Sequence, residues 1–145
     1  AKAFIANYFA KYPKIKGYLD GQVEHARADG YVETILGRRR PLVDIRAAQR
    51  MARANAERMA LNSPIQGSAA DIIKVAMIKI DRRLEAEGLQ ARMLLQVHDE
   101  LLFEVPPEEV DRLEALVREE MEGAVELAVP LKVDIGRGAN WLEAH

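Results

Sequence analysis

The run from Met93 to Val105, MLLQVHDELLFEV, constrains this chain more than any other stretch. Two short apolar, strand-forming segments flank His98, Asp99 and Glu100. Strand formers on both sides of a short polar break predict a β-hairpin. Tight hairpin turns favour Asn-Gly, Asp-Gly or a Gly pair, because those residues accept positive φ. His and Asp tolerate the left-handed region better than most residues but less well than glycine. A local rule broken inside an otherwise consistent element is where function is expected. Acids at the tip of an apolar hairpin can present their oxygens rigidly to a divalent metal. The same residues also read as a solvated acidic turn, and spacing alone leaves both readings open.

The 145 residues fit one domain, enough to bury roughly 70% of the unfolded surface. No apolar run reaches the ~18 residues of a membrane span. No signal-peptide pattern appears either, so an intracellular protein is expected. Without cysteine, disulfides and thiolate metal sites are excluded, which leaves carboxylates and histidines as metal ligands. The first residue is Ala1, set within a helical pattern, so a piece of something longer is expected. The net charge of −2 hides a division. Between Gly37 and Asn62 seven arginines stand against Asp44 and Glu57, a balance of +5. Between Glu100 and Leu127 ten acids stand against Arg112 and Arg118, a balance of −8. This asymmetry suggests a basic surface for nucleic acid, backed by an acidic, solvated element.

Helical spacing places Phe4, Ile5, Tyr8, Phe9 and Tyr12 on one face of a first helix, interrupted by Pro13. A second helix would turn Ile15, Tyr18, Leu19, Val23 and Ala26 inward and stop at Gly30. The aromatics here read as core. Tyr31 to Leu36 has strand composition and turns at Gly37 into Arg38, Arg39 and Arg40. Guanidinium forks on such a ribbon suit phosphates, though a solvated turn is the competing reading. Ala47 to about Leu61 is a strong helix former. Ser63, Pro64 and Gln66 then carry an N-cap, N1-proline and capping-box signature, so a new helix is expected there. It runs to about Glu87, with Ile65, Ala69, Ile72, Ile73, Ala76, Met77, Ile80 and Leu84 on its buried face, as a floor for the hairpin. A helix from about Glu108 would bury Val110, Leu113, Leu116, Val117 and Met121 and turn its acids to water. Leu131 to Ile135 reads as a further strand. Helices alternating with hairpins imply an α+β fold, an antiparallel sheet covered by long helices.

Arg58, Asn62 and Gln66 are spaced four apart and share one face of any continuous helix. These residue types donate to base edges and sugar oxygens. Pro64 disfavours an unbroken helix, and Gln66 has its capping role as a competing explanation. His25, His98 and His145 are scattered and suggest no zinc site. No nucleophile elbow, Walker loop or HExxH helix occurs.

Gln96-Val97-His98-Asp99-Glu100 resembles the palm motif of family A DNA polymerases, the bacterial DNA polymerase I group. Arg58 through Asp71 (RMALNSPIQGSAAD) resembles the helical segment preceding that motif in the same family. Tyr31 to Thr34, Gly37 to Arg39, Val129 to Leu131 and Asn140-Trp141 match as well, so the resemblance covers essentially the whole chain in order. It implies a single partial domain over 1–145: the end of the fingers and the second half of a palm-type sheet. Asp99 would bind the catalytic Mg2+ pair, Glu100 would tune the site, and His98 would lie against the primer terminus. Arg58, Asn62 and Gln66 would meet the primer–template minor groove, with Arg38 and Arg39 on DNA. The implied partners are primer–template DNA, dNTP and the remaining polymerase subdomains, in the bacterial cytoplasm with the nucleoid and with no membrane. The family's second palm aspartate and its nucleotide-gripping fingers helix have no counterpart in this sequence. A C-terminal fragment, or half of a split polymerase, inactive alone, is therefore expected. A non-catalytic DNA-binding module is the alternative. A metal-dependent nuclease is disfavoured, because no second acid cluster accompanies the hairpin.

Overall fold

A computed structural model of the chain describes residues 2–144; Ala1 and His145, and with His145 one of the three histidines, lie outside the described residues. The architecture is α+β, with two small antiparallel sheets among long helices. Two compact units divide the chain at Ser68 and Ala69. No helix among the described residues is long and apolar enough to cross a membrane.

In the first unit, α1 (Lys2–Lys11) and α2 (Pro13–Asp29) are split by Pro13 at the N-terminus of α2. Gly30 ends α2 at φ 83°, where its N–H reaches the Ala26 carbonyl, as the sequence predicts. Strand β1 (Tyr31–Glu33) pairs antiparallel with β2 (Arg39–Pro41) around a turn containing Gly37. The strand ends three residues earlier than its composition suggests, because Thr34 to Gly37 close a turn. Ala26, Val32, Leu42, Ile45, Ala56 and Ala60 form this unit's core. The aromatic face of α1 does not join it. Phe4 is 76% exposed, and Tyr8, Tyr12, Ile15 and Tyr18 are exposed too. Helical spacing fixes which side chains share a face, not whether that face is buried, and most of this one stays exposed.

Helix α3 runs unbroken from Arg50 to Ala86, through Pro64. The expected new start at Ser63 is absent. Ser63 is buried at 9% exposure and lies inside the helix rather than capping one. A helix-interior proline removes one backbone hydrogen bond and costs ~3 kcal/mol. Burial of Ala56, Ala60 and Ser63 before and around the proline, and of Ile73, Ala76 and Ile80 after it, offsets that cost. Ile65 and Ala69, expected on the buried face, are exposed.

In the second unit, β3 (Arg92–Val97) and β4 (Glu100–Glu104) form the expected hairpin. Met93, Leu101, Phe103 and Val105 pack on a core of Ile80, Leu84, Leu113, Leu116 and Val117 from α3 and α4 (Val110–Glu122). The long helix is thus the hairpin's floor. Leu131 to Ile135 keeps the alternating exposure of a strand but joins no ladder. Side chains of α4 take its backbone groups instead: Arg118 donates to the Val133 carbonyl at 2.6 Å, and Glu122 accepts the Val133 N–H at 3.1 Å.

The acids of α4 are likewise not merely solvated. Arg83 donates to Glu87 at 2.7 Å, Glu119 at 2.6 Å and Glu120 at 3.0 Å, while Arg112 reaches Glu87 at 2.9 Å. Arg83, then Arg112, holds the Glu87 carboxyl below its ordinary value; Arg137, then Arg118, does the same for Glu114. A carboxylate with a lowered folded-state pKa contributes stability above its unfolded value and loses it as pH falls through the folded one. The thermal midpoint should therefore hold near neutrality and fall on acidification below about pH 4.5, the ordinary glutamate value. Circular dichroism melts between neutral and acid pH check this, and Arg83→Met should flatten the acid limb. A midpoint unchanged throughout would contradict it.

Candidate active site

Register fixes the hairpin tip. Val97 pairs with Glu100 and Gln96 with Leu101, which leaves His98 and Asp99 as a two-residue loop. His98 adopts φ 54°, the one positive φ at a non-glycine among the described residues. Side chains other than Gly, Asn and Asp pay roughly 1–2 kcal/mol for this region, so the pairing of the flanking strands holds it there. Gln96 Nε2 donates to the His98 carbonyl at 2.8 Å and braces the turn from within. His98, Asp99 and Glu100 are all exposed, while Leu101 and Phe103 root the same strand in the core. The tip therefore offers hard carboxylate oxygens from a rigid support, the donor type magnesium prefers. Among the described residues, no group of three or more His, Asp or Glu side chains is arranged to hold a metal. One loop carboxylate and its neighbour can complete a cation's shell but cannot enclose it.

On α3, Arg58, Asn62 and Gln66 are all exposed on successive turns. Continuity through Pro64 keeps them on one side of the helix. Arg58 donates to the Asn55 side-chain oxygen one turn earlier. The arginine turn has structural duties as well. Arg39 Nε donates to Glu33 at 2.7 Å, and its guanidinium lies 4.6 Å from the Tyr31 ring centroid. The hydrogen bond to Glu33, then Tyr31, raises the Arg39 pKa. Arg38 Nη2 donates to the Gly67 carbonyl at 3.1 Å. Both arginines remain exposed, so anchoring and an outward face coexist.

Arg38, Arg40, Thr34, Ser63, Gln66 and Gly67 line much of a hollow of about 60 Å³. Thr34 and Gly67 at this hollow, and Ser68 beside Gly67, lie in the matched stretches but had no role assigned from the sequence. The only available signals were a glycine in a helix interior and a serine four residues after a proline.

The model of DNA polymerase family A matches residues 1–143. DNA polymerase I of Lactococcus lactis is 53% identical over 144 residues, covering 99% of this chain and 16% of the relative. That of Mycobacterium tuberculosis is 58% identical over 134 residues, covering 92% and 15% respectively. Among solved structures, the POL domain of Pol1 from M. smegmatis, in complex with DNA primer-template and dNTP, superposes with a TM-score of 0.96. It shares 52% identity, over 99% of this chain and 25% of that one. The chain thus spans about 16% of the length of the first curated relative it matches. With the family pattern running from end to end, the chain belongs to DNA polymerase family A.

Proposed function

We propose that this chain forms the end of the fingers and the second half of the palm of a DNA-directed DNA polymerase. That enzyme would add deoxynucleotides to a primer 3′ end during DNA replication and repair, in the bacterial cytoplasm with the nucleoid. The observation that carries the reading is Asp99, exposed on a two-residue tip whose neighbour His98 is held at positive φ. Family membership supports the same assignment.

Exposed carboxylate oxygens at that tip fit Mg2+ by donor type. A bound magnesium pair would lower the pKa of the primer hydroxyl and stabilise charge on the leaving pyrophosphate. Asp99 would supply a ligand oxygen from a hairpin rooted in the core through Met93, Leu101 and Phe103. Glu100 adds negative charge beside it, and His98 faces the primer end. Arg58, Asn62 and Gln66 donate into the minor groove, where N3 and O2 acceptors recur in every correct pair. The outward faces of Arg38 and Arg39 meet backbone phosphates, which hold the duplex without reading sequence.

One loop aspartate with one neighbour is too few to hold two ions, so the remaining palm and fingers must complete the site. The isolated chain should therefore show no magnesium-dependent primer extension, while the complete polymerase extends the same primer. Clear extension by the isolated chain would refute this division of labour.

A further inference from the structure

We infer that Ser68, together with Gly67, is a positioning pair that sets how Gln66 meets the primer–template minor groove. The inference rests on the minor-groove reading of Gln66 and deepens it. Gln66 stands two residues past Pro64, whose missing N–H leaves the Ala60 carbonyl one turn earlier without its helical donor. The Ser68 hydroxyl donates to the Pro64 carbonyl, one turn back. Such back-bonding is common for serine inside helices and orients the hydroxyl proton inward. An oxygen lone pair is left to accept, and it does: the Ile35 N–H donates to it at 2.8 Å. One hydroxyl thus ties α3, one turn past Pro64, to the turn after β1.

That turn is stiff. Gly37 N–H reaches the Thr34 carbonyl at 2.9 Å, Thr34 N–H the Arg38 carbonyl at 3.0 Å, and Arg38 N–H the Thr34 hydroxyl at 3.1 Å. It sits so close to α3 that a Cβ on Gly67 would fall 2.6 Å from the Thr34 methyl and 3.3 Å from Arg38 Nη2. Thr34 cannot simply rotate away, because its hydroxyl is engaged. The Arg38 bond to the Gly67 carbonyl closes the clamp from the other side. Gln66, Gly67, Thr34 and Arg38 line one hollow, so loosening the turn moves the wall against which Gln66 stands.

The test uses the complete polymerase and single-turnover addition to primer–templates whose terminal pair carries adenine or 3-deazaadenine. The analogue removes the N3 minor-groove acceptor. Gln66→Ala should slow addition on the natural pair and much less on whichever deaza-substituted strand it contacts. Ser68→Ala should show the same pattern, with a loss of about tenfold on the natural pair, the size expected for one mispositioned hydrogen bond. Ser68→Thr, which keeps the hydroxyl, should stay within about twofold of the parent. Gly67→Ala should follow Ser68→Ala. A purely structural role would lower both substrates equally, since each variant is compared with itself on two DNAs. Equal losses on both substrates, or wild-type behaviour of Ser68→Ala, would overturn the inference while a substrate-dependent Gln66→Ala left the minor-groove reading standing. If Gln66→Ala itself fails to distinguish the two DNAs, that reading falls and the inference goes with it.

Discussion

Asp99→Ala in the complete polymerase is expected to abolish primer extension, slowing nucleotide addition on the order of a thousandfold or more. A factor of that size is ~4 kcal/mol of transition-state stabilisation, the scale of a group acting on developing charge. Duplex affinity should change little, because the proposed phosphate and groove contacts lie elsewhere. The hairpin itself should survive, since Asp99 is exposed and the strands are rooted through Met93, Leu101 and Phe103. Asp99→Asn keeps the shape but removes the charge and should fail nearly as badly. Rapid-quench kinetics with a parallel gel-shift titration check both statements. Turnover retained by Asp99→Ala would reduce the tip to a polar turn and favour the non-catalytic DNA-binding module.

The second large effect belongs to α3. Arg58→Ala removes a charge-assisted donor, the stronger kind of hydrogen bond. A loss of ~1.5–3 kcal/mol in the transition state corresponds to about 10- to 150-fold in rate. Gln66→Ala, removing a neutral donor, should cost about tenfold or less. Both losses should be larger for matched than for mismatched termini, because mismatches displace the acceptors that the proposed minor-groove contacts need. Discrimination against mismatches therefore falls in both variants. Extension kinetics on matched and mismatched primers decide the matter, and unchanged ratios would contradict the minor-groove role.

Much of this was legible in the sequence, for reasons that differ from element to element. The hairpin announced itself because two apolar strand-forming runs flank a turn lacking glycine, and His98 indeed carries the positive φ. Gly30 and Gly37 were legible as a stop and a turn for the same conformational reason. Helix α3 was misread at Ser63 because Ser-Pro-x-Gln is the local chemistry of a helix start. Only the buried positions on either side of Pro64 reveal that packing carries the helix through. The α1 aromatics show the complementary blindness: spacing says which residues lie together, not whether anything covers them. At Leu131–Ile135 the alternation was correct, but the backbone partners are Arg118 and Glu122 side chains, which no period of residues announces. The candidate site divides similarly. Asp99, Arg58, Asn62 and Gln66 were singled out by residue type and by family motif. The bonds of Arg38 to Gly67 and of Arg39 to Glu33 needed coordinates.

A crystal of the complete polymerase with a dideoxy-terminated primer, template, incoming dNTP and Mn2+ would test the metal assignment most directly through anomalous scattering. The account predicts a cation about 2.1 Å from an Asp99 carboxylate oxygen and also touching substrate phosphate. Cations held entirely by other groups, with the Asp99 carboxylate turned away from the primer end, would contradict it.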